Sequence, residues 1–79
     1  MEKILLFREI ISREPNPVFN AYYTIERPGR KRFYFKAHAE SGITIDFLDE
    51  QQFILEYRKA RDANHIDYQN DVKIRELNL

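Results

Sequence analysis

Apolar residues recur along this chain in two rhythms, and the change between them falls near Asp49. Before it, apolar and polar positions alternate, as they must where successive side chains of a strand point to opposite faces. After it, Phe53, Ile54, Tyr57 and Ala60 recur at three- and four-residue spacing, the stripe of a helix lying on a core.

The alternating part divides at its turn residues. Val18 to Glu26 is rich in β-branched and aromatic residues and reads as a strand. Arg27-Pro28-Gly29-Arg30 ends it: Pro presets the first central position of a type II turn and Gly supplies the positive φ of the second. A hairpin follows, with Lys31 to Ala39 returning. Arg32, Tyr34, Lys36 and His38 share one face of that strand, and Phe33, Phe35, Ala37 and Ala39 share the other, which is expected to be the core side. Glu40-Ser41-Gly42 makes a second turn, and Ile43, Ile45 and Phe47 mark a further short strand.

Residues 3–12 carry apolar side chains at Ile4, Leu5, Phe7, Ile10 and Ile11, a spacing that suits a strand or a short helix. The strand is favoured, because Glu14-Pro15-Asn16-Pro17 imposes an extended turn immediately before the Val18 strand. The helix from Glu50 to about Ala63 begins with Asp49 as N-cap, Gln52 placed to reach back as in a capping box, and Glu50 in the first turn. Arg58 and Asp62 are spaced for an ion pair on its wet side, and Asn64 suits its end. In the tail 66–79, Val72 and Ile74 alternate, so Asp71 to Leu77 reads as an optional edge strand. Leu77 and Leu79 are expected to be covered by another copy.

The fold class that results is α+β: a three- to four-stranded antiparallel meander with one helix packed on one face and an extra C-terminal edge strand in reserve. One domain, 1–79, is expected, with its core in 18–63, a strand at 3–12 and a tail or strand at 66–79. At 79 residues the chain buries only about 60% of the surface its unfolded form exposes, so a homo-oligomer is an open expectation.

Composition changes this picture little. There is no cysteine, hence no disulfide framework and no thiolate metal site, and a cytoplasmic setting is expected. The apolar run Ile4 to Phe7 is cut short by Arg8 and Glu9, so no membrane partner is expected. Charge matters more. The chain is neutral overall, but residues 1–36 hold eight Lys/Arg against four Asp/Glu and residues 37–79 hold five against nine. Such an asymmetry makes a dipolar surface.

No residue pattern points to catalysis. Gly29 and Gly42 are the only glycines and each serves a turn, which excludes nucleotide-binding glycine fingerprints. Ser12 and Ser41 lack a nucleophile elbow, and His38 and His65 lack metal-ligand spacing. Asp46, Asp49 and Glu50 cluster, but capping accounts for Asp49 better than a divalent ion does. The expectation is therefore no enzyme, no cofactor and no metal.

Surface recognition remains. Arg27, Arg30, Lys31, Arg32 and Lys36 interleave with Phe33, Tyr34 and Phe35 on the hairpin, a mixture that grips phosphates and stacks bases. Tyr and Arg are also enriched at protein-binding hot spots, and a sheet face carrying Tyr22 or Tyr23 with Arg32 and Tyr34 has that composition. The candidate contact residues are thus Tyr22, Arg27, Arg30, Lys31, Arg32, Tyr34 and Lys36. The neutral overall charge favours a non-catalytic protein-binding module of inhibitor, adaptor or antitoxin-like kind, of the sort that phages and plasmids encode, over a nucleic-acid-binding domain using hairpin 27–36.

Overall fold

A computed structural model of the chain describes residues 2–38 and 44–79. It contains β1 (Glu2–Ser12), β2 (Val18–Glu26), β3 (Phe33–His38), β4 (Thr44–Leu48), α1 (Glu50–Asp62), β5 (Ile66–Gln69) and α2 (Asp71–Leu77). The strands form one sheet in the order β4-β3-β2-β1-β5, with every ladder antiparallel. The fold is α+β, as the sequence implies, and residues 3–12 are a strand.

The sheet is larger than the expected three or four strands. The extra edge strand is β5, and the segment Asp71–Leu77, anticipated as that strand, is instead a helix. Local chemistry explains the exchange. The Asn70 side chain accepts from the Lys73 backbone N–H at 3.1 Å, and Asn78 closes the segment in the left-handed conformation with φ of 57°. Ile74 and Leu77, three apart, then share a face, so helical spacing outweighs the short alternation of Val72 and Ile74. Leu77 and Leu79 pack against this chain's own core, where the sequence reading had assigned them to another copy.

Both helices lie on one face. Phe53 of α1 is fully buried, stacked on Tyr34 of β3 at 4.5 Å and set at an angle to Tyr22 of β2 and Phe7 of β1. Tyr57 meets Phe7 edge-on, and its hydroxyl donates to Gln69 of β5 at 2.9 Å. One helix thereby spans the sheet from β3 to β5. A β-bulge between Leu5 and Phe7 breaks the alternation of β1, and both Leu6 and Phe7 are fully buried.

This packing reverses the expected faces of β3. Tyr34 lies under α1, whereas Phe33 is 45% exposed and Phe35 is buried only through neighbours on the opposite face. The reason is tertiary: Tyr22, Thr24 and Tyr34 present rings and a hydroxyl that Phe53, Glu56 and the Phe33 carbonyl can satisfy. Phe33 also opens β3, so Lys31 and Arg32 precede the strand. Ala39, the turn 40–42 and Ile43 lie outside the described residues.

The helix ends follow the sequence. Asp49 accepts from the Gln52 N–H at 2.7 Å, but the Gln52 side chain donates to Glu56 and does not complete a capping box. Asn64 adopts φ of 59°, and the N–H groups of Asn64 and His65 bond to Arg61 and Ala60 carbonyls in a Schellman closure. Asp62 pairs with Arg61, not with the anticipated Arg58.

Candidate functional site

The turn at residues 27–30 forms as its residues require. The Arg30 N–H donates to the Arg27 carbonyl at 3.1 Å and Gly29 has φ of 69°. Arg27, Arg30, Lys31 and Arg32 line a cleft of about 650 Å³ with Tyr34, Leu48 and the start of α1. Part of its charge is already matched: Arg32 pairs with Glu26 at 2.8 Å, and Asp49 and Glu50 stand in the same wall. Among the described residues, Arg30 and Lys31 make no ion pair.

Tyr22 and Lys36 lie elsewhere, and Tyr34 borders the cleft from beneath α1. Tyr22 and Tyr34 are 1% and 3% exposed beneath α1. The Tyr22 hydroxyl donates to Glu56 at 2.8 Å, with Glu9 at 3.2 Å, and Lys36 donates to the same Glu56 oxygen at 3.0 Å. Burial, then the hydrogen bond to Glu56 and the charges of Glu9 and Glu56, push the Tyr22 pKa far above the usual tyrosine range. Burial also raises the Tyr34 pKa, with Glu50 adding to it and Arg32 opposing. For Glu56, burial favours the neutral acid, but donation from Gln52, Tyr22 and Lys36 outweighs it, and the carboxyl titrates below its ordinary value. A phenol held protonated and a carboxylate held ionised, each facing the other under a helix, form a structural brace.

The notable surface is the side of the sheet that no helix covers. Register and pleat place Lys3, Leu5, Arg8 and Ile10 of β1 there, with Phe19, Ala21, Tyr23 and Ile25 of β2, Phe33, Phe35 and Ala37 of β3, and Ile45 and Phe47 of β4. Leu5, Tyr23, Phe35 and Phe47 form a row across four strands. At its β3–β4 end, Phe33, Ile45 and Phe47 are 45%, 53% and 74% exposed. Among these positions the charged residues are Lys3 and Arg8, and Arg8 is paired with Asp67 at 2.7 Å.

The rings here are spent on one another and on cations. Tyr23 and Phe35 stack at 5.1 Å, Lys3 sits over Tyr23, Arg8 lies against Phe19 and Tyr68, and Arg27 covers Phe33. Base stacking needs open ring faces. Of the aromatics in this row, Phe47 alone is largely exposed.

Sequence reasoning placed the basic residues but missed Ile45 and Phe47 as surface. The signal was present: β2 and β3 carry aromatic residues on both parities, and a single helix layer covers one face only. Among the described residues no cluster of three or more His, Cys, Asp or Glu is arranged to hold a metal, and no helix is long and apolar enough to cross a membrane. Compared with protein-family models, curated proteins and solved structures, the chain finds no match.

Proposed function

We propose that this chain is a protein-binding module whose contact surface is the uncovered sheet face. The observation that carries this reading is the exposure of Phe33, Ile45 and Phe47 side by side on a face whose cations are Arg8, paired with Asp67, and Lys3 and Arg27, laid over rings. Contiguous exposed apolar surface of this kind is what protein contacts bury. The aromatic geometry argues in the same direction, since ring faces already covered by Lys3, Arg8 and Arg27 are poor stacking platforms for bases but good edges for packing. A cytoplasmic setting fits a chain without cysteine.

A photo-crosslinking phenylalanine analogue at position 47, irradiated in cells, is expected to form a protein adduct. The same analogue at Leu55, exposed on the other side of the molecule, is expected to form none. No protein adduct at position 47, or adducts at 55 alone, would overturn the reading.

The cleft beside the 27–30 turn supports one second reading, nucleic-acid binding through Arg30 and Lys31. It predicts a salt-sensitive complex with single-stranded nucleic acid that Arg30→Glu with Lys31→Glu abolishes. Absence of any complex at low salt removes it.

A further inference from the structure

We infer that the cleft beside the 27–30 turn takes a short peptide segment that carries an acidic and a basic side chain on either side of apolar residues; the inference rests on the protein-binding reading and names the chemistry of the segment bound.

The charges of the cleft select this ligand. The turn supplies Arg27, Arg30, Lys31 and Arg32, and the junction of β4 with α1 supplies Asp49 and Glu50. Arg32 is taken by Glu26 at 2.8 Å, but among the described residues Arg27, Arg30, Lys31, Asp49 and Glu50 make no ion pair. The Nε of Arg27 is buried with no acceptor, and a native donor left so calls for a partner from outside the chain. Glu50 is nearly as free, since the Tyr34 hydroxyl donates to it only at 3.4 Å, well beyond the usual length of such a bond.

A ligand of one sign matches half of this cleft and opposes the other half. A polyanion drawn to Arg30 and Lys31 must run past Asp49 and Glu50, and like charges brought together are how a site rejects a wrong partner. A nucleobase finds no open ring either: Tyr34 is 3% exposed and stacked on Phe53, and Arg27 lies over Phe33 at 5.0 Å. A peptide with side chains of both signs satisfies both ends, and its apolar residues meet Phe33 and Leu48 between them.

Size and place agree. At about 650 Å³ the cleft has the volume that encloses a drug-sized ligand, far more than a lone oxyanion fills. Phe33 lines it and also belongs to the uncovered sheet face, so a partner seated on that face reaches the cleft without a break.

The test is titration of the isotope-labelled full chain with the end-blocked peptide Glu-Leu-Leu-Lys, followed by backbone amide shifts. Saturable shifts at residues 27–33 and 48–50 are expected, with Glu-Leu-Leu-Gln and Gln-Leu-Leu-Lys each binding roughly tenfold more weakly. Arg30→Gln with Lys31→Gln is expected to erase the advantage of the peptide's glutamate, and Glu50→Gln that of its lysine. These three positions are exposed, so both variants are expected to melt like the parent chain. No shift at these amides, a peptide preference that neither variant moves, or an oligothymidylate that binds more tightly than the peptide at physiological salt overturns the inference. Should the peptide fail while position 47 still gives a protein adduct, the cleft assignment falls alone and the protein-binding reading stands.

Discussion

The Tyr22 hydroxyl and the Lys36 ammonium donate to the same carboxylate oxygen of Glu56, at 2.8 and 3.0 Å, and so tie β2 and β3 to α1. A tyrosine has one hydroxyl proton, and the shorter contact assigns it to Glu56 while Glu9, at 3.2 Å, stands behind it. Removing the acceptor takes from Lys36 its only ion-pair partner among the described residues and leaves Tyr22 with the longer contact to Glu9, which costs more than removing one donor. Glu56→Ala is expected to destabilise by about 2–3 kcal/mol and Tyr22→Phe by about 1 kcal/mol. Urea unfolding followed by circular dichroism, with unchanged m-values, measures both.

The same carboxylate sets an acid limit. Its folded-state pKa lies below the ordinary 4.5, so its contribution is present above that value and is lost as pH falls through the lowered one. Melting temperatures are expected to drop from about pH 4.5 downward, and Glu56→Gln to flatten that part of the profile. An unchanged acid limb in Glu56→Gln would contradict the assignment.

Gly29 separates space from conformation. A Cβ at this position meets nothing within 4 Å, yet φ is 69°, a value that L-residues adopt at a cost. Gly29→Ala is expected to lose about 1 kcal/mol and Gly29→Asn less, because asparagine tolerates the left-handed region better. Equal losses in equilibrium unfolding would point to sterics.

Asn70 joins three elements. Its side chain caps α2 at Lys73 and donates to the Leu5 carbonyl at 3.2 Å, while its N–H donates to the Leu6 carbonyl at 2.8 Å. Asn70→Ala is expected to cost about 1–2 kcal/mol and to speed amide exchange in α2 ahead of the meander.

Where local chemistry decides, the sequence was readable. Pro28-Gly29 made its turn, Asp49 capped α1, and Asn64 closed it, because each acts within a few residues. Where distant residues decide, it was not. Alternation cannot say which face of β3 a helix will cover when Tyr34 and Phe35 are both aromatic; Phe53 settles that from 19 residues beyond Tyr34. For the same reason the basic residues of the 27–32 turn were found and the exposed pair Ile45 and Phe47 was not. Their exposure follows from which face α1 leaves bare.

The pairing of β1 with β5 has a consequence for how the sheet opens and closes. β1, β2, β3 and β4 each meet their neighbour across a short connection, but Phe7 pairs with Gln69 across nearly the whole chain. Closing that loop costs entropy that the local hairpins do not bear. The meander is therefore expected to order early, with β5 and α2 docking onto it as one unit. In native-state exchange their amides should open together while β2 and β3 stay shut, so that the molecule passes through a form in which the outer edge of β1 is transiently bare.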